Sequence, residues 1–150
     1  MLFSRNMKPF LTEEETQRVL EAIRVNEAKT SGEIRLCIES KCKYMEPLRR
    51  AHELFWQLKM NLTEDRNAVL IYIAHKDKDF ALYCDGALFQ KTPIDFWKEE
   101  TRRLRYHFFH HQHMEGLIDC VEQVGTLMAQ HFPFEGEKKN ELPDDIIFGR

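Results

Sequence analysis

Apolar and polar residues recur along the chain with two different periods, and these periods predict helices and strands in alternation. The segment "FLTEEETQRVLEAIRVNEAKTSGE" has a helical period, begins with a capping box at Thr12 and Glu15, and is predicted to end at Gly32. In "EIRLCIE" apolar residues occupy every second position, which is typical of a strand with one buried face. The continuous apolar run "AVLIYIA" favours a strand that is buried on both faces.

The remaining patterns complete the order of elements. Pro47 begins a second helix, and "HKDKD" is predicted to turn the chain so that "FALYC" returns beside "AVLIYIA" as a hairpin. Another helix begins near Pro93, and the last one runs from about Met114 to His131. The order helix, strand, helix, strand, strand, helix, helix predicts an α/β fold in which a small mixed sheet is layered with helices.

The pattern also predicts how the chain is divided. No internal repeat, low-complexity tract or interdomain linker interrupts the 150 residues, so we predict a single domain over 1–150. Its core is expected to span about 10–134. The segment 135–150 is predicted to be a tail that docks on the body, because Ile146, Ile147 and Phe148 are apolar.

Composition and charge narrow the classes of function. The net charge of −3 and the isoelectric point of about 6.2 give no electrostatic support for binding a nucleic acid. The sequence has no apolar run long enough for a transmembrane segment and no pattern of a signal peptide. The four cysteines are scattered without a CxxC motif, which favours reduced thiols. We therefore expect a cytoplasmic protein; the alternatives are a location peripheral to the membrane and a trimmed exported protein.

The predicted topology brings three polar stretches to one edge of the sheet. A helical crossover joins the first two strands, so they are expected to run parallel, and the hairpin makes the third strand antiparallel. The stretches 30–33, 63–67 and 84–86 should then meet. The expected set combines carboxylates with neutral side chains that carry oxygen, which suits Ca²⁺ or Mg²⁺; its members are Glu33, Asp65, Asp85, Ser31 and Asn67. The alternative is that these are ordinary turn residues at strand ends.

A second candidate for metal binding is the histidine-rich stretch "YHFFHHQHMEG". His107 with His110 or His111 has helical spacing and could place two imidazoles on one face. Such a pair needs a further ligand, for example His113. The favoured alternative is that these histidines fill half-buried positions at the junction of two helices.

Several stretches, in order along nearly the whole chain, resemble the TPM domain family, whose members include a thylakoid lumen acid phosphatase and a photosystem repair protein. The short bacterial members are the most similar in pattern. This resemblance implies a three-layer α/β/α sandwich in which a small mixed sheet is flanked by helices. The stretches that carry it are "FLTEEETQRVLEAIRVNEAKTSGEIRLCIES", "RAHELFWQLKMNLTEDRNAVLIYIAHKDKDFAL", "CDGAL", "DFW", "MEGLIDCVEQVGTLMAQHFPF" and "NELPDDIIFG".

The resemblance implies two kinds of function. One is a divalent-cation-binding or protein-interaction accessory module whose unknown protein partner can be membrane-associated; the lack of a GxSxG, Walker or HExxH motif favours it. The other is a metal-assisted acid phosphatase for phosphomonoesters, in which Asp65 or Asp85 binds the metal or activates water. Arg66, together with Ser31 and Asn67, would then bind the phosphate.

The chain departs from the family pattern at three glycines of the polar edge. Ala68, Cys84 and Ala87 stand in their places, whereas Asp85 is kept and a new glycine follows it at Gly86. Glycine often marks positive φ or a close backbone approach, so these replacements bear directly on ligand binding at this edge.

Overall fold

The computed structural model of the protein describes residues 10–134, 136 and 146–149. A 3-10 turn, Met60–Leu62, lies between the second helix and the second strand. In chain order the helices and strands are α1 (Glu13–Glu27), β1 (Ile34–Glu39), α2 (Pro47–Gln57), β2 (Val69–Ala74), β3 (Asp79–Cys84), α3 (Gly86–Lys91), α4 (Ile94–Phe109), α5 (His113–His131) and β4 (Ile146–Phe148).

The sheet has the mixed topology that the sequence predicts. Its strand order is β3-β2-β1-β4. β1 runs parallel to β2 and to β4, and β2 and β3 form the antiparallel hairpin. The register aligns Ile34 with Val69 and Val69 with Cys84, so the start of β1, the start of β2 and the end of β3 lie at one edge.

The helices cover both faces of the sheet, which confirms the α/β/α sandwich. On one face, side chains such as Leu36 and Ile71 pack with α1, α4 and α5 in the larger apolar core. On the other face, Tyr72 packs with Phe55 of α2 in a smaller core. β1 was expected to have one buried face, but all six of its residues are buried because α2 covers the side that carries its polar residues. That expectation was wrong.

The capping box of α1 forms as predicted. The backbone N–H of Glu15 donates to Thr12 Oγ1 at 3.1 Å, and the backbone N–H of Thr12 donates to Glu15 Oε1 at 3.0 Å. The helix ends at Glu27 with Ala28 as its C-cap, so the expected stop at Gly32 is wrong. Gly32 instead lies in a tight space: a Cβ there would lie 3.0 Å from the carbonyl oxygen of Asn67 and would displace the terminal methyl of Met128.

Two short elements escaped the sequence prediction. α3 has six residues with only Leu88 fully buried, which is too short for a helical period to be visible. β4 has three residues, Ile146–Phe148, which pair with Leu36–Ile38 of β1. Most of the predicted tail, residues 137–145, lies outside the described residues.

Candidate functional site

The predicted site residues all lie at the edge where β1 and β2 begin and β3 ends. We call this set the polar edge; it comprises Ser31, Glu33, Asp65, Arg66, Asn67 and Asp85. Backbone hydrogen bonds hold its three stretches together. Val69 N–H donates to Glu33 O at 2.9 Å, and Asp85 N–H donates to Ala68 O at 3.0 Å. The predicted convergence of the stretches 30–33, 63–67 and 84–86 at one edge is therefore confirmed. The chemistry of the edge depends on how the side chains are paired.

Asp85 and Arg66 form a bidentate ion pair at the polar edge. Arg66 Nε donates to Asp85 Oδ2 at 2.7 Å, and Arg66 Nη2 donates to Asp85 Oδ1 at 2.9 Å. The same Oδ1 accepts the backbone N–H of Gly86 at 2.7 Å, so Asp85 also caps α3. The Asp85 side chain is 4% exposed and the Arg66 side chain 48% exposed. The hydrogen bonds that Arg66 donates to Asp85 raise the pKa of Arg66, so the guanidinium stays charged.

Asp65 belongs to a separate hydrogen-bonded chain. Ser31 Oγ donates to Asp65 Oδ2 at 2.8 Å and accepts from Asn67 Nδ2 at 3.1 Å. Asn67 is fully buried, whereas Asp65 is exposed. Asp65 and Asp85 therefore have different partners, although they lie at the same edge.

Glu33 is buried at the start of β1, 1% exposed. Within the described ranges, no group of three or more His, Cys, Asp or Glu side chains is arranged to hold a metal ion. The assignment of Glu33, Asp65 and Asp85 as ligands of Ca²⁺ or Mg²⁺ stays a prediction, as do the catalytic and phosphate-binding roles.

The residues that replace the three family glycines do not need a positive φ. Ala68, Cys84 and Ala87 all lie outside the positive-φ region, and Ala87 N–H donates to Arg66 O at 3.1 Å. Arg66 is the residue of this edge that adopts a positive φ, 52°. A Cβ added at Gly86 would meet no atom within 4 Å, so this glycine is not needed for close approach.

A long apolar groove begins at the polar edge and runs along β3. Its volume is about 590 Å³, and its floor is formed by five consecutive residues of the strand, 80–84. One wall contains Leu48 of α2 and Phe89 of α3, and the other contains Ile94 and Trp97 of α4. Because successive strand residues point to opposite faces of a sheet, a cavity that touches all five lies along the edge of the strand. We call it the β3 groove.

Positive charge lines one side of the β3 groove. Lys98, Arg102 and Arg105 project from α4 at its rim. Arg102 is paired with Glu99, at 2.6 and 3.0 Å. Lys98 and Arg105 take part in no ion pair among the residues that the structure describes. The lining contains no described Asp or Glu, so the groove offers apolar contact and a cationic rim.

The histidine stretch forms the junction between α4 and α5. His107 Nδ1 lies 3.2 Å from Gln112 Oε1, His110 Nδ1 lies 2.7 Å from Tyr106 O, and His113 Nε2 lies 3.0 Å from Glu15 Oε2. His111 has a positive φ of 57° and turns the chain between the helices. Each of these side chains has a different environment, which supports the interpretation as a helix junction.

The comparison with known families agrees with this fold. A sequence model of the TPM domain matches residues 5–127 of the chain. The chain is a member of the TPM domain family. No curated protein sequence is detectably similar to this TPM domain.

Three solved structures resemble this TPM domain over most of their length. The BA42 protein of the psychrophilic bacterium Bizionia argentinensis is 36% identical, with a TM-score of 0.86, over 97% of this chain and 100% of that one. The N-terminal domain of the cg2496 protein from Corynebacterium glutamicum is 7% identical, with a TM-score of 0.64, over 94% and 95%. The N-terminal domain of a protein from P. gingivalis is 13% identical, with a TM-score of 0.67, over 85% and 83%. Because the last two structures share so little sequence with this chain, they show only that the fold is the same.

A buried ionic network that the sequence did not predict lies beneath α2 of the TPM domain. Arg50 donates to both carboxylate oxygens of Glu39, at 3.0 and 2.7 Å, and Tyr72 Oη donates to Glu39 Oε1 at 2.8 Å. The hydrogen bond to Glu39 raises the pKa of Arg50, whereas burial raises the pKa of Tyr72. The polar positions of β1 indicated a solvent-facing side, so no sequence signal pointed to this network.

A second missed group is Glu100 of α4, which is 3% exposed against α5. Burial raises the pKa of its carboxyl to about 7, Arg103 opposes the rise, and Asp119 adds to it. Arg103 Nη1 lies 3.4 Å from Glu100 Oε1, and Glu100 Oε2 has no hydrogen bond to any described residue. In the sequence Glu100 is one of many charged residues of a helix, so its burial was not predictable.

Two further expectations concern the redox state of the cysteines and the lack of a transmembrane segment. All four cysteines are free, and burial raises the pKa of the Cys37 thiol to about 12 and that of Cys84 beyond its usual range. None of the helices in the described ranges combines the length and the apolar character that crossing a membrane requires.

Proposed function

We propose that this TPM domain is a protein-interaction accessory module without catalytic turnover, and that the β3 groove is its binding surface. The observation that carries the proposal is the convergence of exposed apolar side chains from three elements on one groove. Leu48 is 56% exposed, Phe89 44% and Ile94 55%. Single exposed apolar residues are ordinary on protein surfaces, but a contiguous apolar patch in a concave groove is typical of a binding site.

The shape of the groove favours a polypeptide as its occupant. Its floor follows one strand for five residues, 80–84, which is a linear path of about 16 Å at strand spacing. A small-molecule site usually adds several convergent polar side chains that fix the orientation of the ligand. Here the lining is mostly apolar, and its polar side chains are the cations at the rim together with Thr101 and Tyr83. A partner protein that inserts apolar side chains matches this lining.

The pairing at the polar edge supports a module without turnover. Asp85 accepts two hydrogen bonds from Arg66 and one from the N–H of Gly86. A phosphatase would need this carboxylate for a metal or for water, and Arg66 for the phosphate. Because the two groups neutralise each other, neither is ready for that role. Weak binding of Ca²⁺ or Mg²⁺ near Asp65 is compatible with the proposed module.

Displayed random peptides selected on the immobilised full chain test this proposal. The selected ligands are then measured on Leu48→Asp and Ile94→Asp, two exposed positions in the first turn of a helix, where Asp is compatible with the helix dipole. We expect these variants to weaken binding about tenfold or more. Leu62→Asp is the matched control, since Leu62 is exposed but lies outside the β3 groove. Ligands that bind all variants equally would contradict the assigned surface.

An assay with a generic phosphomonoester, with and without Mg²⁺ or Ca²⁺, tests the second half of the proposal. We expect no turnover above the metal-only background. Turnover that is abolished by Asp85→Asn would establish the phosphatase alternative and overturn the proposal of a module without turnover.

A further inference from the structure

We propose that the occupant of the β3 groove is an extended acidic segment of a partner protein, which joins the sheet as a new strand beside β3. This inference rests on the proposed function and specifies the chemistry of the partner. β3 is an edge strand in the order β3-β2-β1-β4, and β2 occupies only one of its two sides. An edge strand presents main-chain N–H and C=O groups that another chain can pair with.

The register identifies which main-chain groups of β3 are available. Asp85 N–H donates to Ala68 O, so this pair is hydrogen-bonded. Hydrogen-bonded and non-hydrogen-bonded pairs alternate in an antiparallel ladder. Tyr83 and Ala81 therefore pair with β2, opposite Leu70 and Tyr72.

The alternate residues of the strand, Phe80, Leu82 and Cys84, direct their N–H and C=O groups to the open side. None of the turn, loop or side-chain hydrogen bonds of the described residues uses these groups. Their strand lies at the floor of the groove, where Phe80 and Leu82 are 3% and 6% exposed. An added strand would thus sit between α2 and α4, shielded from water, where main-chain hydrogen bonds are favoured.

Apolar contacts would follow the two-residue period of the added strand. Its side chains would point alternately toward Leu48 on the α2 side and toward Ile94 and Trp97 on the α4 side. Apolar residues on the α2 side would displace water from Leu48. Residues on the α4 side would lie beside the cations of α4 as well as beside Ile94 and Trp97.

The charge of the rim selects acidic residues in the partner. Lys98, Arg102 and Arg105 are spaced by four and three residues, so they form one stripe along α4. The stripe is about 10 Å long and matches about three residues of an extended chain. Because Lys98 and Arg105 have no ion pair in the described part of the chain, carboxylates of the partner would be paired there without breaking an existing contact.

Synthetic heptapeptides with blocked ends test the inference on the full chain. The first probe is a pool in which Glu alternates with Val, Leu, Ile or Phe. One matched pool has Lys in place of Glu, and another has N-methyl groups on alternate residues, which remove strand hydrogen bonds. Binding is followed by amide hydrogen exchange at Phe80, Leu82 and Cys84. The amides of Ala81 and Tyr83, already paired with β2, are internal controls.

We expect the acidic pool to slow exchange at Phe80, Leu82 and Cys84, and the N-methylated and Lys pools to leave it unchanged. Arg105→Glu should weaken binding of the acidic pool by about twofold to fivefold, whereas Arg18→Glu on α1, remote from the groove, should not.

Equal binding by the N-methylated pool would overturn strand addition, and equal binding by the Lys pool would overturn the selection for acidic partners; the proposed function would stand in both cases. If none of the pools bound while displayed ligands still bound in a Leu48-dependent way, this inference alone would be wrong. If neither the displayed peptides nor the heptapeptide pools bound at the β3 groove, the proposed function would be rejected as well.

Discussion

The guanidinium of Arg66 holds the carboxylate of Asp85 with two hydrogen bonds, of 2.7 and 2.9 Å, at the point where β3 passes into α3. The two residues are 19 positions apart in the chain, and Arg66 reaches its partner from a left-handed turn with a φ of 52°. Through this pair, Asp85 links the turn before β2 to the end of β3, where the β3 groove begins. The stability and the cation binding of the edge should both depend on it.

Replacement of Asp85 separates its role as a helix cap from its role in the ion pair. Asp85→Ala removes both, and we expect the free energy of unfolding to fall by about 1–2 kcal/mol. Asp85→Asn keeps an acceptor for the N–H of Gly86, so its loss should be smaller. Urea denaturation measures both variants. Asp65→Asn, at an exposed position, is the control and should change stability by less than about 0.5 kcal/mol. If Asp85→Ala and Asp85→Asn lowered the free energy of unfolding equally, the capping role of Asp85 would be contradicted.

Binding of Ca²⁺ or Mg²⁺ should be limited by competition from Arg66. We expect the native chain to bind these cations weakly, at about millimolar concentrations, with NMR shifts near Ser31 and Asp65. Arg66→Gln frees the carboxylate of Asp85 and removes a positive charge, so affinity should rise by about fivefold, with new shifts near Asp85. Arg49→Gln, remote from this edge on α2, is the control. An Arg66→Gln variant with unchanged affinity would show that Asp85 is not a ligand.

The buried carboxyl of Glu100 should make stability depend on pH. Below pH 4.5 it is protonated in the folded and the unfolded chain and has no effect; its folded-state pKa is about 7. Between pH 4.5 and about 7 the Glu100 carboxyl is ionised in the unfolded chain but still protonated in the folded chain, so the free energy of unfolding falls as the pH rises. The total loss reaches about 3 kcal/mol above pH 7.

Glu100→Gln should therefore remove this loss, and the variant should exceed the native chain in stability at pH 8 but not at pH 4. Denaturation curves at both pH values measure the difference. The control is Glu99→Gln, since Glu99 is exposed, is paired with Arg102, and has a lowered pKa. A pH-independent difference between native chain and Glu100→Gln would contradict the assignment.

The Glu39–Arg50 pair should be important for stability because both side chains are buried. Arg50→Met leaves the carboxylate of Glu39 without its two hydrogen bonds from the guanidinium, and we expect a cost of about 3–5 kcal/mol. Arg49→Met, at the exposed neighbouring position, should cost far less. The double variant Glu39→Gln/Arg50→Met removes the buried charge, so it should recover part of the loss. Thermal or urea denaturation of the native chain, Glu39→Gln, Arg50→Met and the double variant completes the double-mutant cycle.

The sequence alone determined the features that depend on near neighbours. The capping box at Thr12 and Glu15, the apolar run of β2 and the hairpin are local patterns, and each formed where predicted. The parallel pairing of β1 with β2 followed from the helical crossover between them. These relationships were also sufficient to place the three stretches of the polar edge side by side.

Only the tertiary structure decided which charges are paired and which are buried. Glu39 and Arg50 are enclosed because α2 packs on the sheet face that carries the polar residues of β1. Glu100 is enclosed because α5 packs against α4, and the local sequence period predicts neither arrangement. Gly32 does not end α1; it lies in tight packing against the backbone of Asn67 and the side chain of Met128, which are far from it in the sequence. The β3 groove likewise exists only once α2, α3 and α4 surround the edge strand, because solvent exposure is a property of the packed layers and not of any one segment.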